Sequence, residues 1–133
     1  MVQAYTTGVV VLERNPYWGP ELKRRYAGMP IFVHECRSSL DLVSAVATYE
    51  KAVVVLAIDS SPADCLNWMT RRLLRGDETS VIAVVSVNMS SLEWAIREAG
   101  AVEVVCDDIG GCALSRICLR AIKDLASGGG RWR

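Results

Sequence analysis

The sequence predicts an α/β protein: a doubly wound, parallel five-stranded sheet between two helical layers, a (βα)5 three-layer sandwich. Three observations carry this. Five β-branched runs recur at regular intervals, and they are almost continuously apolar, as parallel strands covered on both faces should be. The stretches between them space their apolar residues as helices do. Several of those stretches open on a serine with an acid three residues later, a helix-start signature. At 133 residues the chain fits one domain. In a five-stranded sheet of this kind the common order is 2-1-3-4-5, with the ligand crevice at the carboxyl ends of strands 1 and 3.

The first strand is expected at Val9 to Leu12, followed by a helix over Pro20 to Ala27 that Gly28 closes. Ile31 to His34 forms the second strand. The next helix is capped at Ser38-Ser39-Leu40-Asp41 and presents Leu40, Val43 and Val46 or Ala47 to the core. Val53 to Ile58 is the third strand. Ser61-Pro62-Ala63-Asp64 then starts a helix with proline in its first turn, a core stripe of Leu66, Met69 and Leu73, and Gly76 beyond its end. The fourth strand is Val81 to Val87. It leads to a helix capped at Ser90-Ser91-Leu92-Glu93 with Leu92, Ala95, Ile96 and Ala99 inward. Val102 to Cys106 is the last strand. The Gly110-Gly111 pair reads as a flexible turn, and the last helix buries Leu114, Ile117, Cys118, Ala121, Ile122 and Leu125. The domain is expected to span 1–126, with 127–133 a flexible glycine-rich tail whose Trp132, between Arg131 and Arg133, could dock on an anionic or aromatic partner.

Composition narrows the function. Fifteen basic and fifteen acidic residues cancel, so no global field draws nucleic acid or an anionic membrane. The longest apolar run, Ala52 to Ile58, is far short of the roughly 20 residues that span a bilayer. The first residues carry no secretory pattern, which predicts a cytoplasmic chain. Five cysteines without a CxxC pair argue against a metal or disulfide framework and predict buried, reduced thiols. The basic clusters Lys23-Arg24-Arg25 and Arg71-Arg72-Arg75 read as solvated helix faces.

Catalytic motifs are missing where they would have to be. The turn after the first strand, Glu13-Arg14-Asn15-Pro16-Tyr17-Trp18-Gly19-Pro20, holds neither a GxGxxG nor a P-loop, so nothing there lets a backbone cradle a phosphate. There is no GxSxG elbow, and the single histidine, His34, reads as a structural residue at the end of the second strand.

With the (βα)5 order, three segments carry a resemblance: Val81-Ile82-Ala83-Val84-Val85-Ser86, Ala99-Gly100-Ala101, and Val104-Val105-Cys106. The chain resembles the receiver domain of bacterial two-component response regulators, a flavodoxin-like fold, from Val9 to Ala126. The resemblance implies an acidic pair after strand 1 for Mg²⁺, a phosphoacceptor aspartate after strand 3, a hydroxyl after strand 4 and a lysine after strand 5. Glu13 matches one acid, but Arg14 follows it, and its positive charge opposes a divalent cation. Asp59 stands near the acceptor position, with Pro62 three residues on rather than four. Ser86 matches the hydroxyl. The lysine position falls at Asp107, and Asp108 stands where proline is usual. A cation that would neutralise phosphoryl oxygen is thus replaced by an anion. Glu13, Asp107 and Asp108 could collect at one end of the sheet and bind a cation, although three scattered carboxylates in solvated loops are the commoner outcome.

The resemblance therefore implies a pseudo-receiver: a non-enzymatic signalling or scaffold module working by contact with a protein partner or with itself, without phosphorylation and without a cofactor. The rival readings are a Mg²⁺-dependent receiver phosphorylated on Asp59 and a small-molecule sensor using the crevice. The fourth helix places Trp94 opposite its apolar stripe, between Glu93 and Arg97, and the fifth places Leu119 off its stripe beside Arg116 and Arg120. In receivers this region is the usual dimer or partner surface, so a homodimer through the two helices is one expectation.

Overall fold

Val9, Val10, Val11, Val53, Val54 and Val55 have no exposed surface. Consecutive strand residues point to opposite faces, so two such runs need cover above and below the sheet. The computed structural model, which describes residues 7–74 and 79–126, supplies it. The elements are β1 (Thr7–Leu12), α1 (Trp18–Arg25), β2 (Ile31–Cys36), α2 (Ser39–Thr48), β3 (Lys51–Ala57), α3 (Pro62–Leu74), β4 (Ser80–Val85), α4 (Glu93–Glu98), β5 (Ala101–Cys106) and α5 (Gly111–Ala126). All strand pairs are parallel and the order is β2-β1-β3-β4-β5, as expected. The tail from 127 onward and Gly76 lie outside the described residues.

Two cores result. Val10, Leu12, Val54, Leu56 and Ala83 pack under α2, α3 and α4 with Leu42, Ala45, Cys65, Trp68, Met69 and Ile96. Val9, Val11, Val53, Val55, Ile82 and Val84 pack under α1 and α5 with Trp18, Leu22, Tyr26, Leu114, Cys118 and Ala121. Each fully buried aliphatic side chain contributes about 1.5–3 kcal/mol. Gly8 has a specific place here: the Tyr49 ring lies where its Cβ would be, 2.6 Å from the nearest ring atom. Tyr49 is then held by a bond to His34 Nδ1 at 3.0 Å and by stacking on Phe32. His34 sits within β2 rather than at its end, in this structural role.

The helix boundaries and faces correct the sequence expectations in several places. Helix α1 starts at Trp18 instead of Pro20, because Pro20 has no N–H to satisfy and the preceding amides find another acceptor, described below. On α2 the core face is Leu42 and Ala45, with Val46 half-buried; Leu40, 78% exposed, and Val43 point outward. The helix is apolar on more than one side, so spacing alone could not select between overlapping stripes. On α3 the buried set is Cys65, Trp68, Met69 and Arg72, and Leu73 is exposed. The Ser38 cap is present, its Oγ accepting from the Asp41 amide at 3.2 Å. The cap at Ser90 is not: a 3-10 segment, Val87–Leu92, occupies that stretch, and α4 is a short helix with Ala95 exposed. The α5 stripe is as expected.

Strand β5 pairs with β4 through a break in register. Val81 faces Ala101 and Ile82 faces Glu103, so Val102 falls outside the ladder and is 52% exposed at the sheet edge.

The thiols divide into two groups, against the expectation of five buried ones. Cys36, Cys65 and Cys118 are buried, Cys106 is half-buried, and Cys112 is exposed in the first turn of α5. Burial pushes the Cys36 and Cys65 thiols up to about 11 and Cys118 up to about 12, which suppresses the nucleophilic thiolate. A thiol-reactive disulfide at pH 8 should therefore label Cys112 first, Cys106 more slowly, and the other three only on unfolding. Peptide mass mapping of a labelling time course checks this; equal rates at all five would contradict the described core.

Candidate functional site

The carboxyl ends of β1, β3, β4 and β5 bring the sequence-matched residues to one rim. Glu13 follows β1 directly, its amide bonded to the Cys36 carbonyl at 3.2 Å. Its side chain turns away from the rim and into the start of α1. One carboxylate oxygen accepts from Trp18 at 3.0 Å, and the other accepts from Tyr17 at 3.1 Å and Gly19 at 2.9 Å, with the residue only 2% exposed. These are amides that a helix start leaves without intrahelical partners, and an anion there also meets the positive end of the helix dipole. With Pro20 next in line, every early donor of α1 is accounted for. Glu13 does not gather with Asp107 and Asp108: its carboxylate is taken by three backbone amides, while the two aspartates stay exposed.

Arg14 stays exposed and closes the rim. Its backbone amide donates to Ser60 Oγ at 3.0 Å, and its guanidinium Nη2 donates to the Ser60 carbonyl at 2.5 Å. The β1–α1 and β3–α3 connections are thereby tied together. Asp59 lies in a 3-10 turn, Ile58–Ser60, that follows β3; it is exposed, and its Oδ1 accepts from the Ser86 amide at 3.1 Å. That bond draws Ser86 out of the ladder and ends β4 at Val85 rather than Val87. Ser86 Oγ is buried and has no hydrogen-bond partner among the described residues. Asp107 is exposed, and its amide donates to the Val85 carbonyl at 2.8 Å. Asp59 and Ser86 are thus in contact, Arg14 stands beside them through Ser60, and Glu13 is withdrawn. Sequence reasoning missed Ser60, whose role depends on a contact 46 residues away in sequence.

Other candidate groups have structural partners. Gly110 has φ +87, and Gly111 lies so close to the Glu21 carboxylate that a Cβ would collide with it. Gly111 is thus a close-packed junction, whereas Gly110 stands in open space and is set apart by its positive φ alone. The Glu21 carboxylate already faces the α5 N-terminus, and the hydrogen bond from Arg24 holds its pKa below the usual range, with Arg25 adding to the effect. Lys23 pairs with Glu35 at 2.9 Å. Arg72 is buried and donates to Thr79. Both basic clusters thus put side chains into intramolecular bonds; Arg75 lies outside the described residues. No group of three or more His, Cys, Asp or Glu among the described residues is placed to hold a metal ion. No described helix is long and apolar enough to cross a membrane.

On α4, Trp94 is 73% exposed, beside an ion pair of Arg97 with Glu93 at 3.0 Å. Arg116 and Arg120 are exposed on α5, Arg116 donating to Cys112 Sγ at 3.3 Å. Leu119 departs from expectation. It is half-buried and packs against the α1 and α5 core, because that core extends around α5 beyond the central stripe.

Removing the Glu13 carboxylate should leave buried amides without an acceptor. Glu13→Ala is expected to cost about 2–3 kcal/mol of stability, and Glu13→Gln, which keeps one acceptor oxygen, distinctly less. Urea unfolding followed by circular dichroism, with and without Mg²⁺, measures both. A loss that Mg²⁺ modulates, or no loss at all, would contradict the capping role.

No family model and no curated protein sequence matches the chain. Solved structures do. A response regulator from Thermotoga maritima superposes with a TM-score of 0.75 at 15% identity, over 89% of this chain and 98% of that one. The signal receiver domain of an HD domain-containing protein from Pseudomonas fluorescens Pf-5 gives 0.76 at 15% identity, over 98% and 96%. A response regulator receiver protein from Burkholderia phymatum gives 0.68 at 19% identity, over 88% and 95%. Matches that run the length of both chains, together with the 2-1-3-4-5 sheet and five helices, identify the fold: this chain folds as a receiver-like domain of the flavodoxin-like α/β class.

Proposed function

We infer that this chain is a signalling module that works by protein contact, without phosphorylation and without a catalytic step of its own. The observation that carries the reading is the buried Glu13. The acid that would serve as a Mg²⁺ ligand in a phosphorylated receiver is here consumed by three backbone amides, and the next position is an arginine bonded to Ser60. Asp107 adds negative charge where a phosphoryl group would need a cation. No cofactor enters this reading.

A second reading has one observation in its favour: Asp59 is exposed after β3 and accepts from the Ser86 amide, which supports a phosphoryl-accepting role with Mg²⁺. The two readings separate directly. Incubation with acetyl phosphate and Mg²⁺ is expected to leave the intact mass unchanged, and beryllofluoride to leave the tryptophan fluorescence unchanged. A Mg²⁺-dependent phosphoryl adduct that is lost in Asp59→Asn would establish the second reading instead. A small-molecule sensor in the same crevice has less support, since the Arg14–Ser60 tie crosses that rim.

The contact surface in this proposal is the α4, β5 and α5 face, occupied by a protein partner or a second copy. Trp94 supplies a large exposed aromatic, with Arg97 beside it and exposed Val102 on the neighbouring strand; Arg116 and Arg120 supply charge on α5. Tryptophan and arginine are favoured anchors of such surfaces. Leu119 contributes at most its outer edge. Nucleic acid is a poor fit for a chain of zero net charge whose basic helix residues are largely engaged internally. Trp94→Glu should weaken self-association or partner capture while shifting the melting temperature little, because an exposed position loses little folding energy. Sedimentation and thermal melts on that variant check it; unchanged association, or a melt lowered by many degrees, would remove the proposed surface.

A further inference from the structure

Helix α2 carries apolar residues on two sides. Leu42 and Ala45 enter the core, while Leu40, Val43 and Ala47 stay exposed, Leu40 at 78%. The outer three are spaced by three and four residues, the interval of a helix-to-helix seam, and lie within about 60° of one another around the axis. The only charged residue of α2, Asp41, falls outside that seam. The neighbouring helix supplies charge. On α3, Asp64 and Arg71 are exposed, two turns apart on one flank, and neither forms a salt bridge among the described residues. Leu73 lies about 160–180° from them around the same helix. Its side chain comes within 3.2 Å of where a Cβ on Gly100 would stand, which turns Leu73 toward α4 and β5. Asp64 and Arg71 therefore face the other way, toward α2, as the order β2-β1-β3-β4-β5 requires.

We propose that the α2 and α3 face binds a second copy of this chain about a two-fold axis, with the two α2 helices antiparallel. The face carries its own complement, as a self-matching contact requires. With the axis crossing α2 between Val43 and Ser44, Leu40 of each copy stands opposite Ala47 of the other, and Val43 opposite Ser44. Large side chains then meet small ones, which lets the helices interdigitate at close range. The same axis keeps both α3 helices on one side of the pair and antiparallel, so Asp64 of each copy stands opposite Arg71 of the other. The two registers agree. The midpoint of residues 40 and 47 lies about 7 Å along α2, and that of residues 64 and 71 about 8 Å along α3. Both helices start from the same edge of the sheet, at strand ends that share Leu12 as their partner level. A parallel pair would send the α3 helices to opposite sides and leave both charges unmatched. With two helices a side, the contact falls at the small end of specific interfaces, under about 1,200 Å² in total, so the dimer forms and dissociates with concentration. This goes beyond the contact-module reading: the second copy is assigned here, and the α4, β5 and α5 face is left to a different protein.

Sedimentation equilibrium on the full chain, from micromolar to millimolar concentration, is expected to show a monomer and dimer in exchange. Leu40→Glu, at an exposed position, should raise the dimer dissociation constant about tenfold or more while changing the melting temperature little. Asp64→Arg and Arg71→Asp should each raise it about three- to tenfold, because each sets like charges opposite one another. Mixed in equal amounts, these two variants should form heterodimers within about twofold of the wild-type affinity, since both pairs across the axis then have opposite charge. The proposal is overturned if the chain stays monomeric at millimolar concentration, if Leu40→Glu leaves the dimer unchanged, or if the mixture associates no better than its components. It is equally overturned if Trp94→Glu abolishes the dimer and Leu40→Glu does not, which would place the second copy on the α4, β5 and α5 face and leave the contact-module reading standing. A phosphoryl adduct on Asp59 would instead remove that reading and leave every outcome of the dimer test as it is.

Discussion

A helix that begins at the edge of a parallel sheet exposes amides that nothing within the helix can accept, and here one buried carboxylate takes three of them. Much of the surrounding structure follows from that arrangement. With its first turn anchored to the residue that ends β1, α1 lies across the sheet so that Trp18, Leu22 and Tyr26 reach the core beneath it. Its other side carries Glu21 to the start of α5, where Gly111 leaves room for the carboxylate. Tyr26 completes the junction by donating to the Ser115 carbonyl at 2.7 Å. The packing of the two helices on this face is thus referred back to the geometry of residue 13.

The same arrangement shapes the rim. Once Glu13 has turned inward, Arg14 points out and reaches the next connection, where Ser60 meets it with a hydroxyl and a carbonyl. The crevice edge is therefore closed by direct bonds between protein groups. Asp59 and the Ser86 amide extend this set of bonds to β4, and the Asp107 amide extends it to β5. The rim is thus held by bonds that run from β1 through β3 and β4 to β5.

The fold was legible in the sequence because buried parallel strands leave nearly continuous apolar runs, and Val9 to Leu12 or Val53 to Leu56 admit few other interpretations. Helix faces were less legible. Leu40 and Val43 hold a spacing that suits a core stripe, yet Leu42 and Ala45 are the residues that go inside, and only the position of the sheet decides between them. The α4 start was missed for a local reason. Ser90 and Ser91 look like caps, but the bond from the Met89 amide to the Ser86 carbonyl opens a tight 3-10 run through them. At the site, the sequence placed Glu13, Asp59, Ser86 and Asp107 at the correct strand ends. It could not show that Glu13 would face its own downstream helix, since a carboxylate five residues ahead of a helix can cap it or leave it alone depending on the path of the intervening turn.

Both margins of the sheet offer free backbone groups, and the displaced Val102 changes what the β5 margin can do with them. A regular outer strand is a template onto which another extended chain can add, residue by residue. With the pairing interrupted between Ala101 and Glu103, the strand twists locally and its outward donors and acceptors lose their even spacing. At the β2 margin, Glu35 is flanked by Lys23 and Arg37, so a strand approaching there meets charge near the carboxyl end of β2. Growth into continuous intermolecular ribbons is thus discouraged at both margins.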